Sequence, residues 1–216
     1  RIENALTSPP SDEKEKERGG PKPASEPADG DGELEERPFS GPQPGEKLPP
    51  LKVRAVLGRD AGKNIDFVQR AVGKPLVLIF VHEINRPTIG LTRAISTYSA
   101  GRVEDGVTTG VVFLSKDAAE GEAAVKRIQH ALAPNAPTGV SLDGLEGPGS
   151  YGLNRNVAMT VVIAKEGKTK ASFALVQPSI QADLPKILEA IVKTAGGTLP
   201  SPKEIEKLHG AMERMR

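Results

Sequence analysis

Six consecutive apolar residues, Leu76-Val-Leu-Ile-Phe-Val81, run without a polar interruption and then break through His82-Glu83-Ile84 into Asn85-Arg86-Pro87-Thr88. A run so short and so rich in β-branched and aromatic residues reads as a strand buried on both faces, which demands a covering layer above and below it. The expected place for such a strand is the centre of a sheet. Asn85 is a good helix cap, Pro87 is tolerated in a first helical turn, and Ile89, Ala94, Ile95 and Tyr98 then recur at helical spacing to Ala100. Strand, tight loop and helix are therefore specified within 25 residues.

The flanking sequence extends this pattern. Leu51 to Leu57 alternates over part of its length and reads as a strand, and Asn64 reads as the cap of a short helix carrying Ile65, Val68 and Val72, stopped by Gly73. Gly106 to Leu114 reads as a second buried strand and Asp117 to Leu132 as a long helix. The alternation β-α-β-α-β-α argues for an α/β layered domain. A short strand near Gly139 to Leu142 and a glycine-rich connector from Gly144 to Gly152 follow. Val157 to Ala164 and Thr169 to Val176 flank Lys165-Glu166-Gly167-Lys168, whose turn chemistry predicts an antiparallel hairpin. A helix over Ala182 to Thr194 closes the domain, and Ser201-Pro202-Lys203-Glu204 opens a short C-terminal helix carrying Ile205, Leu208, Met212 and Met215.

Composition narrows the function classes. Residues 1 to 50 hold 10 of the 19 prolines and 12 acidic against 7 basic residues, with few side chains to bury, so residues 1–44 are expected to be a disordered Pro/Glu-rich segment. An acidic stalk left by signal removal is one reading of the Arg1 start, which favours an extracytoplasmic over a cytoplasmic location. The remaining chain carries 22 basic against 16 acidic residues, spread along its length, which is a solvated surface and not a nucleic-acid footprint. No apolar run approaches the roughly 20 residues of a membrane span. The chain has no cysteine, hence no disulfide and no thiolate nucleophile.

Several of these segments together resemble the thioredoxin-like fold of redoxins and peroxiredoxins. Pro44-Gly45-Glu46-Lys47-Leu48-Pro49 is similar to the entry segment of that family, and Lys74-Pro75 with the apolar strand is similar to the approach to its paired cysteines. Tyr151-Gly152-Leu153, the strand after it and the Lys165-to-Lys168 turn look like the family's closing hairpin. The resemblance implies a three-layer α/β domain over residues 45–197 around a central mixed sheet, followed by a helical extension over 198–216. It places Asn85 and Thr88 at the two cysteine positions with Pro87 between them, and Ala158 at the family's cis-proline. A cis bond before alanine costs about 3 kcal/mol, so a trans bond is expected there. Thiol oxidoreductase and thiol peroxidase chemistry are excluded.

What remains of the loop is His82, Glu83, Asn85, Arg86, Pro87 and Thr88. Asn85 reads first as a helix cap and second as part of an anion site with Arg86 and Thr88. His82 and Glu83 read first as a hydrogen-bonded pair of loop residues and second as an acid-base pair. Only three histidines are present, without metal-ligand spacing, so neither a metal nor a cofactor is expected. The leading expectation is a non-catalytic module that binds a protein or peptide. The alternatives are a non-redox enzyme using His82, Glu83 and Arg86 on a small anionic substrate, and a purely structural building block. A concave site where His82, Arg86 and Thr88 converge would favour the enzyme, and an apolar surface the binding module.

Overall fold

The computed structural model describes residues 38–134 and 136–210, so most of the Pro/Glu-rich segment and both Met212 and Met215 lie outside the described residues. Seven strands form one mixed sheet: β1 (Lys52–Leu57), β2 (Asn64–Asp66), β3 (Leu76–Val81), β4 (Thr108–Phe113), β5 (Thr138–Ser141), β6 (Met159–Lys165) and β7 (Lys168–Leu175), in the order β2-β1-β5-β4-β3-β6-β7. β3, β4 and β5 run parallel, while β1 lies antiparallel to β2 and β5, and β6 lies antiparallel to β3 and β7. The helices are α1 (Phe67–Ala71), α2 (Arg86–Ala100), α3 (Ala118–Ile128), α4 (Ile180–Ala195) and α5 (Pro202–Gly210).

Every residue of β3 is buried, and its two faces serve two cores. Val77, Ile79 and Val81 join Ile95 of α2, Val125 of α3 and Ile187 of α4, with Ile205 and Leu208 of α5 packed against them. Leu76, Leu78 and Phe80 join Leu51, Phe67 of α1 and Tyr151. The second layer is thus one short helix and irregular chain. The Tyr151 ring lies 5.2 Å from that of Phe80, and its hydroxyl donates to Pro49 O at 2.8 Å, tying the glycine-rich connector to the entry segment. Burial, followed by the nearby Asp66 charge, pushes the Tyr151 phenol well above its ordinary pKa.

Three local expectations are corrected. Asn64 does not cap a helix: Asn64–Asp66 pairs with β1, Asp66 is the cap through a bond from Gln69 N, and α1 is only five residues long. Val72 falls outside it, in the left-handed region at φ 46° and 79% exposed. Strand pairing outweighed a helical pattern too short to nucleate. β3 is not the middle strand either: β4 is, because β5, β1 and β2 extend the sheet beyond it. The long helix expected to Leu132 ends at Ile128 and continues as a 3-10 turn over Gln129–Ala131.

The hairpin turn is formed as expected, with both Glu166 (φ 57°) and Gly167 (φ 69°) in the left-handed conformation that a two-residue hairpin loop uses. Gly110 in β4 is required by close approach, since a Cβ there would lie 2.7 Å from the Phe67 ring.

Candidate functional site

β3, β4 and β5 end together, so the 82–85 loop, the chain after Phe113 and the chain after Ser141 gather at one end of the sheet. β6 begins at that end opposite Val81, and β7 finishes there opposite Met159. This is the end where open α/β sheets hold ligands.

The loop closes on itself. Asn85 Oδ1 accepts from Thr88 N at 3.0 Å and Thr88 Oγ1 accepts from Asn85 N at 3.1 Å, a reciprocal capping box at the start of α2. The Thr88 hydroxyl donates back to the chain, lying 2.7 Å from Glu83 O and 2.9 Å from Asn85 O, and it is fully buried. Asn85 Nδ2 donates to Glu83 Oε2 at 3.2 Å. Pro87 sits in the first turn of α2, where its missing N–H costs no helical bond. Arg86 is exposed and forms no ion pair among the described residues.

Ala158 lies beside the loop with its backbone committed. Its carbonyl accepts from His82 N at 3.0 Å and Glu83 N at 3.2 Å, and its own N–H donates to Leu175 O at 2.9 Å. No main-chain group of Ala158 is left to pair with an extended substrate.

His82 turns away from Glu83 and into the domain. Its Nε2 lies 3.1 Å from Thr160 Oγ1, which lies 2.5 Å from Ser40 Oγ, which in turn accepts from Asn154 N at 3.0 Å. Both hydroxyl residues are buried. His82 Nδ1 is buried without a partner, and burial pushes the imidazole pKa down to about 4. The ring is neutral at pH 7. Thr160 is the one polar residue in the run Ala158 to Ala164, a signal that sequence reading overlooked; Ser40 has no comparable mark.

His82, Arg86 and Thr88 therefore do not converge: His82 and Thr88 bond within the protein, while Glu83, Asn85 and Arg86 are exposed. Around the loop the surface is mixed, with exposed Glu83, Arg86, Asp143 and Glu146 beside exposed apolar side chains. Ile84 within it is 47% exposed, Leu142 and Leu145 follow β5, Val176 follows β7, and Phe39, next to the anchored Ser40, is 78% exposed. Among the described residues no three His, Asp or Glu side chains come together to hold a metal, and no helix is long and apolar enough to cross a membrane.

The sequence matches no protein-family model and no curated protein. The structure is similar to that of a candidate thiol:disulfide interchange protein DsbE of Chlorobium tepidum, with a TM-score of 0.53 and 18% identity over 69% of this chain and 99% of that one. It is similar to a thiol:disulfide interchange protein from Bacteroides sp., with a TM-score of 0.53 and 14% identity over 73% of this chain and 93% of that one. Peroxidoxin BcpB of Mycobacterium tuberculosis gives a TM-score of 0.53 and 12% identity over 70% of this chain and 97% of that one. The chain has the thioredoxin-like fold of these redoxins and, with no cysteine, cannot carry out their thiol chemistry.

Proposed function

We propose that this domain is a non-catalytic binding module that takes an apolar protein or peptide segment on the sheet end around residues 82–88. The observation that carries this reading is that the capping box and the Ala158 bonds engage Asn85, Thr88 and the Ala158 backbone within the protein, while Ile84 in the loop and Leu142, Leu145 and Val176 on the chain after β5 and β7 stand exposed. Grouped exposed apolar side chains mark interaction surfaces, where single ones do not. Arg86, exposed at the start of α2 and without an ion pair among the described residues, supplies a polar contact at the rim.

Selection from a displayed peptide library tests the reading. Binders enriched on the native domain should carry apolar side chains, and Ile84→Asp or Leu145→Asp should weaken them at least about tenfold. Val72→Asp, at the other end of the sheet, should leave binding intact, and Arg86→Ala should have a smaller effect. Equal binding by all four variants, or no enrichment, would sink the proposed face.

An acid-base enzyme using His82, Glu83 and Arg86 is the weaker reading. His82 is neutral and bonded to Thr160, Glu83 is engaged by Asn85 and Arg86 is exposed, so no reacting group is brought between them.

A further inference from the structure

The fold gathers lysines that the sequence disperses. Lys165 ends β6 directly opposite Lys168 of β7, and Lys168 lies opposite Lys47 of the entry segment on its other side, so their side chains stand in a row across adjoining strands. Like charges placed directly opposite one another destabilise a sheet. β7 is an edge strand, where lysines discourage pairing with another sheet, but that role calls neither for opposed lysines nor for more of them on a neighbouring helix. α4 packs beside this strand and adds Lys186 and Lys193, seven positions apart and so on one side of the helix. Between them lies an open groove of about 640 Å³, with Lys165 and Lys170 on the sheet wall and Lys186 and Lys193 on the α4 wall. Ala171, the half-buried Phe173 and Ala190 form its apolar part. Glu166 and Glu189 are the carboxylates at the groove, and Glu189 is engaged by Lys193 at 2.8 Å. Lys165, Lys170 and Lys186 make no ion pair among the described residues, so the groove carries surplus positive charge.

We infer that this groove binds an extended acidic peptide, with carboxylates on the lysines of its two walls and one apolar side chain against Phe173. Charge complementarity sets the class of partner, since bound carboxylates relieve the repulsion that the opposed lysines build into the sheet. Length sets its form. Lys186 to Lys193 spans about 10 Å of α4, the reach of three to four extended residues. The composition of the walls separates carboxylate from phosphate: lysine ammoniums are flexible point charges that suit groups spaced along a chain, whereas planar two-pronged recognition of phosphate favours arginine, and no arginine is among the described residues lining the groove. A small inorganic polyanion would also leave Phe173 uncovered. The groove lies at the end of the sheet where β3 begins, away from residues 82–88, and does not depend on the proposed binding face.

A short blocked peptide of glutamates around a central leucine tests the assignment by amide chemical-shift titration of the full chain at low salt. Saturable shifts should centre on Lys165, Lys170, Phe173 and Ala190, with half-saturation below about 1 mM. Raising the salt to about 0.5 M should weaken binding at least about tenfold, and the same peptide with glutamine in place of glutamate should not saturate. Lys170→Glu and Lys186→Glu, exposed residues on opposite walls, should each weaken binding about tenfold. Lys116→Glu makes the same change of net charge at the other end of the sheet and should leave binding intact. No saturation by the acidic peptide, saturation by the glutamine peptide, or equal loss in all of these variants would overturn the site. Tripolyphosphate or a single-stranded oligonucleotide binding as tightly as the peptide would overturn the peptide as its occupant.

Discussion

The two ends of the sheet dispose of their polar groups in opposite ways. Where β3, β4 and β5 finish, Asn85, Thr88 and the Ala158 backbone are bonded within the protein, and Ile84, Leu142 and Leu145 stand exposed on the chain there. Where β3 and β4 begin, the apolar side chains turn inward around a cavity and the Ser96 and Ser99 hydroxyls are left without partners. A polar residue at the position of a family's chemistry is therefore not a site when its own backbone saturates it. Among the described residues the first end leaves one buried side-chain atom without a partner, His82 Nδ1, and the second leaves the two serine hydroxyls.

Four measurements bear on this contrast. The largest effect is expected from Thr160→Val, which keeps the volume of the side chain but leaves Ser40 Oγ and His82 Nε2 without their shared partner. A loss of about 3 kcal/mol should appear in urea unfolding, and a loss below about 1 kcal/mol would show that the buried chain is not a structural tie.

Acid stability comes next. The unfolded His82 binds a proton below its ordinary pKa of 6.5, while the folded one, held neutral by burial, does so only near 4. Between these values the unfolded state binds more protons, so stability falls as pH drops through that window and is retained above it. Allowing for the partial exposure of the ring, the loss should be about 2 kcal/mol between pH 7 and 4, and His82→Gln should remove most of that slope. An unchanged slope in the variant would assign the pH dependence to other groups.

Thr88→Ala should cost about 1.5 kcal/mol, since it deletes half of the capping box and a buried hydroxyl bond. Ser99→Ala at the other end should be neutral or raise the melting temperature, because the hydroxyl it removes is bonded to nothing. If both alanine variants cost the same, the two ends do not differ in the way the hydrogen bonds indicate.

Much of the fold was legible because it is fixed locally. The β3 run, the Asn85 cap and the Glu166-Gly167 turn each depend on neighbours within a few positions, and each forms where the sequence puts it. β2 was not legible. Asn64-Ile65-Asp66 has a weak helical pattern, and only the proximity of Lys52 to Arg54 in β1 makes it a strand. The middle position of β4 was hidden for the same reason, since it depends on which strands add at the β5 side. Of the candidate site, the cap at Asn85 was readable, whereas the direction of His82 was not: its partner is Thr160, 78 positions away, and Thr160 is held by Ser40, 120 positions away.

The sequence by itself determined the missing thiol chemistry, the buried strand and the capped helix that follows it, because composition and short-range hydrogen bonding belong to the chain before it folds. Only the tertiary structure decided which polar groups are spent and which are left over. Ser96, Ser99 and Thr88 are all small hydroxyl residues of one helix, yet Thr88 is saturated by the loop that precedes it while the two serines face apolar walls brought from four other segments. The satisfaction of a buried hydroxyl is a property of its surroundings, and those surroundings exist only once the chain has packed.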